Sequence, residues 1–539
     1  RDVFISPVGS SVAGTLSGAV TGPGGITVLS SGAVILTNSG NAFGTAGGAA
    51  GDVIDGGAVV RSGSLVVGAT GALGTVAVEL GDALPNVVTV DRATSGLEMT
   101  LKGGSFNPAH NGTFSGSGPG AFVEVTDTID GRTFTRADAG TLVLVKDDLE
   151  NPERNGVYQV IFYDIPVGSP DPQPSGTMNL VRVATLDEPS EFAYGTRIDV
   201  QNGMVNAGSS FFIASGVTSV NQNAVNLLPD IAAPEVSLQV NAAGVEVTNS
   251  VDINSTNPAA VTSIGGATSL TAGTATFTGP VVLRDLQAGV QEAATLQVMS
   301  STSDDLGIVF SGLFQEADGG GTGADDLLSL MKVGTGRVTL TAANTYGGGT
   351  TISEGMLIVN NVTGSGTGSG AVGVNAGAIL AGTGFIAGPT TALGAPGSPA
   401  TISPGDPSTV GGIGTLTFQQ SLNLATDSQL TFGLLSNGIN DLVVTNSLTV
   451  DSSTIFKVLL DASYTPMAGD LFDLMDWSSL GIGSDTDWTA QLDLPSVPQG
   501  WDTSRFNSEG VIQIVPEPSR MVCVILGLAI AVLRHRRRS

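Results

Sequence analysis

Residues 334–361 read GTGRVTLTAANTYGGGTTISEGMLIVNN. The run Arg337-Val338-Thr339-Leu340-Thr341 alternates apolar and polar β-formers with period two, as a half-buried strand does. Asn, Ser and a run of three glycines punctuate the rest of the stretch, and glycine supplies the positive φ that tight corners require. A second stretch of the same kind, TGSGAVGVNAGAILAGTGFIAG (367–388), comes directly after it. A looser copy lies near the start, in SSGAVILTNSGNAFGTAGG (30–48) and GSLVVGATGALGTVAVELG (63–81). Short strands repeated at this spacing predict a β-solenoid, in which each rung buries its inner side chains on its neighbours. Aligning the copies pairs Leu340 with Leu36, Asn344 with Asn41 and Tyr346 with Phe43. On that alignment the apolar residues point inward, the aromatic covers a turn, and Asn supports a corner through its own backbone contacts.

Composition agrees with such a fold and narrows the function. Glycine numbers 76 of 539 residues, charged residues are 13 % and apolar residues 41 %, so a core can form without helices. A net charge of −28 excludes a nucleic-acid-binding body, whose phosphate contacts need clustered Lys and Arg. It suits a soluble extracellular surface. The one cysteine, Cys523, sits in the apolar tail, so the body has neither a disulfide nor a thiolate metal site. The chain begins at Arg1 without a Met or signal peptide, which points to a missing upstream piece.

Residues 338–357 resemble the autotransporter-associated β-strand repeat, whose pattern runs V-T-L-T-x-x-N-T-Y-x-G-G-T-T-I-x-x-G-x-L. The resemblance implies a right-handed parallel β-helix in a secreted or surface-displayed protein. In the middle of the chain, GTLVLVKDDLENPERNGVYQV (140–160) and the later R-V-A-T-L-D stretch resemble a small β-module of phage tail-fibre and bacterial surface proteins. Lys146, Asn151, Pro152, Asn155, Gly156, Tyr158, Arg182 and Asp187 carry that match. The implied organisation is a β-solenoid with degenerate repeat over 1–84 and an inserted β-rich module over 85–232. Further rungs occupy 233–333 and the repeat 334–392. A Pro/Gly-rich junction over 393–414 leads to C-terminal β rungs over 415–514. The fold class expected is all-β, a parallel β-helix with that insert and a short C-terminal hydrophobic helix.

The last segment, 515–539, has three parts in order: Val515-Pro516-Glu517-Pro518, an apolar run from Met521 to Leu533, and Arg534, Arg536, Arg537 and Arg538. Those 13 apolar residues would span roughly 20 Å as a helix at about 1.5 Å per residue, short of an ordinary membrane span. The arginines act as a basic stop that stays cytoplasmic. This order resembles the PEP-CTERM sorting signal. The resemblance implies export, an exosortase-type processing enzyme as partner, transient membrane anchoring and cleavage near the PEP motif.

Chemistry-bearing residues are sparse. The histidines are His110, in a polar loop, and His535, in the basic tail, so no His pair exists for zinc and no Ser-His-Asp set is evident. Asp304/Asp305, Asp325/Asp326 and Asp485/Asp487 are neighbouring acids, but a glycosidase needs two convergent carboxylates, and turn acids are usually solvated. GGTGADDLL (320–328) fits one calcium-binding nonapeptide with Asp325 as ligand, although such sites share each ion between tandem copies. Thr274, Thr276 and Thr278 line one strand face in the manner of an ice-binding row. The expectation is an exported, non-catalytic surface or matrix protein without cofactor, acting through a long threonine-rich face. Extracellular polysaccharide is the candidate ligand. The alternatives are a carbohydrate-active enzyme on the same scaffold and an ice- or ligand-binding module.

Overall fold

The computed structural model describes residues 3–5, 14–22, 25–43, 57–75, 77–81, 87–90, 92–93, 104–106, 114–116, 128–129, 132–133, 136–145, 156–162, 178–182, 197–202, 210–213, 227–229, 235–253, 261–267, 273–283, 293–300, 307–316, 327–407, 412–481 and 487–516. The chain divides into two compact units, Arg1–Asp82 with Glu235–Ser539, and Ala83–Pro234.

The first unit is a parallel β-helix. Each rung supplies strands to three rows, and each strand pairs in parallel with its counterpart one rung later. The first row includes Glu235–Val240, Val261–Gly266, Ala293–Met299, Leu327–Val333, Thr350–Ile352, Val372–Val374 and Thr390–Ala392. The second runs through Thr274–Phe277, Gly307–Phe310, Arg337–Leu340, Met356–Val359, Ile379–Gly382, Ala400–Pro404, Ser428–Ser436 and Ile455–Leu460. The third starts with Val78–Leu80, Val251–Ile253, Val281–Leu283 and Phe314–Glu316. Later the long strands Thr415–Leu424 and Leu442–Val450 run through the third row and on into the first, with a register shift between Phe418 and Ser421. In the second row, partners lie from 19 (Thr339↔Ile358) to 36 (Phe456↔Leu492) residues apart, so rungs differ mainly in their corners.

The alternation read from sequence appears directly in burial. Val338 and Leu340 face inward while Arg337 and Thr339 are half-exposed. Inward columns of Val, Leu, Ile and Phe form one continuous core, and each fully buried side chain of this size contributes roughly 1.5–3 kcal/mol. Phe277 stacks on Phe310 at 4.9 Å, Phe310 meets Phe314 edge-on at 5.2 Å, and Phe314 meets Tyr346 at 6.4 Å. Tyr346 is therefore core rather than the cover of a turn, and its hydroxyl hydrogen-bonds with that of Thr350 at 2.7 Å.

Glycine has a specific role where corners of successive rungs stack. A Cβ on Gly370 would lie 2.1 Å from the carbonyl oxygen of Gly348, and one on Gly388 would lie 1.7 Å from that of Gly370. Only a bare backbone allows rungs to approach this closely at that corner.

Within the first unit, the strands before residue 83 pair directly with those after residue 234. Ser64 pairs with Ser237 and Val67 with Val240, and Val78 pairs with Val251. Ser237 and Ser64 hydroxyls are 2.7 Å apart, and Glu246 N–H donates to Thr70 Oγ1 at 2.9 Å. Residues 83–234 thus leave the chain between two consecutive rungs.

That second unit contains two four-stranded sheets built alike. In one, Arg92–Ala93 pairs in parallel with Leu142–Val145, which continues antiparallel into Gly156–Phe162 and Met178–Arg182. In the other, Val87–Val90 pairs in parallel with Arg197–Val200, which continues antiparallel into Ser210–Ile213 and Leu227–Pro229. Tyr158 is buried opposite Arg182, and Gly156 opens its strand. Lys146, Asn151, Pro152, Asn155 and Asp187 lie outside the described residues.

Three expectations need correction. The Pro/Gly-rich 393–414 is not loop throughout, since Ala400–Pro404 is a full second-row strand with Ala400 and Ile402 buried. Leu36 and Leu340 are not equivalent: Leu36 pairs with Val67 in the first row and Leu340 with Val359 in the second, because unequal corners shift the register between copies. The rungs expected through 514 give way to a cap. Leu471–Asp473, Val511–Val515 and Gly500–Asp502 form an antiparallel sheet, and Trp488 and Phe506 pack on Phe456, with Trp477 against Trp488, over the end of the core. Antiparallel pairing and aromatic cover close a stack that would otherwise expose its last rung.

Candidate functional site

Polar side chains buried between rungs do structural work. Asn344 Oδ1 accepts from Phe314 N–H at 2.9 Å, one rung back, and its Nδ2 donates to Gly366 O at 2.6 Å, one rung ahead. Asn41 does the same between Val20 N–H and Ala72 O, at 2.9 and 2.7 Å. Each asparagine therefore ties three rungs together, where the sequence alone predicts contacts to its own corner. Glu316 Oε1 accepts from Leu328 N–H and Gly347 N–H, both at 2.8 Å.

Sequence reasoning does not single out Lys332 as a structural residue. In LLSLMKV it falls on the inward phase after Leu328 and Leu330, and it is fully buried. Its Nζ donates to the carbonyls of Val333 at 3.0 Å, Gly334 at 2.6 Å and Glu354 at 3.0 Å. Burial lowers its pKa to about 8, and the nearby Glu354 charge opposes that shift. Asp441 is likewise buried, accepting from Gly414 N–H at 2.8 Å and Gly433 N–H at 2.7 Å. Burial raises its pKa to about 6, against the pull of those two bonds.

Of the acids paired by proximity in the sequence, Asp487 alone is described. Asp487 caps a turn, accepting from Thr489 Oγ1 at 2.6 Å and Asn507 Nδ2 at 3.1 Å, and those bonds hold its pKa down. Asp451, Asp461 and Asp502 make the same Asp-x-Ser turn, each accepting from the residue two positions on. Tyr464 and Met467 N–H both bond Asp470 at another turn. His110, Asp304, Asp305, Asp325, Asp326 and Asp485 lie outside the described residues, and no group of three metal-ligating side chains occurs among the described ones.

The ice-binding row does not extend. Along the second row Thr276 opposes Val309, then Thr339, then Ile358, and Thr274 opposes Gly307 and then Arg337. Charges stand on this row at Glu246, Arg337 and Lys457, and on the third at Glu79, Asp252 and Asp476. Arg337 Nη1 also reaches across to Asp406 Oδ2 at 3.2 Å. The first row differs. The column that alternates with its inward residues runs Ser64, Ser237, Ser263, Gln297 and Met331, then Thr351, Gly373, Thr391, Asn423 and Thr449, each in register with the next; Ser237 and Ser263 are fully buried and the others half-exposed. No charged side chain interrupts it.

The repeat residues Lys332, Asn344, Tyr346 and Thr350 thus all lie in one stretch of rungs. Residues 330–359 match the family model of the passenger-associated transport repeat. The passenger-associated transport repeat is an autotransporter-associated β-strand repeat, and it covers the first-row, second-row, first-row, second-row sequence from Leu330 to Val359. No curated protein matches the chain. A repeat of this kind suggests an exported, surface-located passenger.

Of the sorting motif, Val515 is the last residue of the cap strand and pairs with Gly500, and Pro516 comes next, exposed. Glu517, Pro518 and the segment from Met521 through Arg538 lie outside the described residues. Among the described residues, no helix is long and apolar enough to cross a membrane.

Proposed function

We propose that the chain is an exported, non-catalytic surface or matrix protein in which the solenoid acts as a mechanical and adhesive spacer. The observation that carries this reading is the passenger-associated transport repeat at 330–359, set in a parallel ladder that runs unbroken past an insertion. A ladder of this kind resists extracellular conditions through packing and backbone hydrogen bonds in a body without disulfides. The half-exposed stretch of the first row's neutral column, from Gln297 to Thr449, supplies an extended contact surface. Sorting runs through Val515-Pro516-Glu517-Pro518, with residues 521–533 and Arg534, Arg536, Arg537 and Arg538 as a temporary hold for an exosortase-type enzyme. The test is protease treatment of intact native cells with mass spectrometry of the surviving and released protein. Degradation on intact cells and a mature end near Pro518 are expected. Protection until lysis, or an intact Arg538-Ser539 end on most molecules, contradicts display or sorting respectively.

A further inference from the structure

The cap that closes the stack has an apolar outer face at the point where the chain leaves it. In its central strand Ile512 and Ile514 are buried, so the half-exposed Gln513 and Val515 face outward. Leu471 pairs with Gln513 and is 37 % exposed, while the next residue, Phe472, is buried. The Asn437-Gly438 turn abuts Leu471: Asn437 Oδ1 accepts from Leu471 N–H at 3.0 Å, and Gly438 N–H donates to Leu471 O at 3.1 Å. Ile439, the residue after that turn, is 51 % exposed. Gly469 N–H donates to Ile514 O at 2.8 Å, which brings the turn holding Met467, 64 % exposed, to the end of the last strand. Asp473, two residues on from Leu471, and Asp502, paired with Gln513, give this face an acidic rim. Arg505, close to both, is ion-paired with Glu509.

We propose that the chain's own segment from Met521 to Leu533 docks on this face before processing, its arginines drawn to the acidic rim. The cap then shields the apolar run until a membrane takes it up, and removal of the tail bares the face. The inference concerns the unprocessed chain and holds whether or not an exosortase-type enzyme acts on it. Three arguments select this occupant. The first is reach: only the five residues Pro516 to Arg520 separate Val515 from Met521, a span of at most about 17 Å at roughly 3.3–3.6 Å per residue. A tether this short holds the segment at an effective concentration on the order of millimolar. The second is charge: residues 515–539 hold Arg520, Arg534, Arg536, Arg537 and Arg538 against Glu517 alone, on a chain of net charge −28. The third is size. Ile439, Met467, Leu471 and Val515 fall far short of the roughly 20–30 residues a side of a stable protein interface, and a second copy would bring the same acidic rim.

Cys523, the chain's one thiol, lies inside the proposed segment and supplies the test. The full chain in detergent-free buffer is alkylated with iodoacetamide, and the rate is compared with that in urea. Native alkylation of Cys523 about tenfold slower is expected, as for a segment docked about nine-tenths of the time. Leu471→Glu should bring the native rate within about twofold of the unfolded one, because a charge then stands in the apolar contact. Mild oxidation of Met467→Cys should link residues 467 and 523 within single chains. Val362→Cys is the control: it is 84 % exposed, beyond a strand four ladder steps from Ile455–Leu460, roughly 19 Å at about 4.8 Å a step, and should link poorly. Equal alkylation rates in native and unfolded chain overturn the proposal, as does protection that survives in a folded Leu471→Glu. Links found only between chains, or protection lost on dilution, overturn it in favour of self-association. Should Leu471→Glu unfold the cap, the Met467→Cys link decides alone. The mature end on native cells is scored separately by mass spectrometry, so a free tail here leaves the sorting reading standing.

Discussion

At the residue scale, side chains that bond to several rungs at once hold the stack together. Asn344→Ala removes a donor and an acceptor from two buried backbone partners, and each group left unpaired costs roughly 1–3 kcal/mol. The expected loss is about 2–4 kcal/mol by denaturant titration, with hydrogen exchange rising at the Phe314 amide, whose N–H Asn344 Oδ1 accepts. A loss below about 0.5 kcal/mol would show that the bridge is dispensable. Asp441 sets a pH dependence whose sign comes from its raised pKa. The unfolded carboxyl ionises near 3.8 and the folded one near 6, so the folded state holds the proton more tightly. This contribution is fully present below about pH 3.8, falls as pH rises toward 6, and is gone above it. Its size is on the order of 2–3 kcal/mol, at about 1.4 kcal/mol per pH unit of separation. Asp441→Asn should therefore flatten the stability profile between about pH 4 and 6.5; parallel profiles for the two proteins would contradict the assignment.

At the scale of the element, corners determine what each strand can tolerate. Gly370→Ala drives a Cβ into the Gly348 carbonyl and should cost roughly 2–4 kcal/mol, whereas Gly373→Ala points into open space and should stay within about 0.5 kcal/mol. Denaturation midpoints of the two variants check this, and equal midpoints would contradict the stacked corner. Strands are legible in the sequence because inward and outward residues alternate with period two, as in the alternating half-exposed and buried residues of Arg337–Leu340. Corners are not, because their lengths vary from rung to rung. That variation puts Leu36 and Leu340 in different rows and hides the Ala400–Pro404 strand among prolines and glycines. Lys332 is hard to read because a charged residue on an inward phase looks like an error in the pattern until three carbonyls are found around its amine. The uncharged column is equally invisible, since its members lie in strands separated by tens of residues and meet only through register.

At the scale of the whole molecule, one parallel ladder joins the described strands from Ala58–Val67 to Leu492–Asp493, with 83–234 inserted between consecutive rungs. The passenger reading and the continuous neutral column both depend on it. Replacing 83–234 by a short flexible linker should leave the β-type circular dichroism and the denaturation midpoint of the solenoid nearly unchanged. The most direct test is a disulfide between Ser64→Cys and Ser237→Cys in a Cys523→Ser background, which has no other thiol. The two hydroxyls are 2.7 Å apart on paired residues, inside the reach of a disulfide. Mild oxidation and then peptide mass spectrometry should find the 64–237 cross-link within single chains at high yield. A free pair of thiols, or a cross-link only between chains, would contradict the ladder.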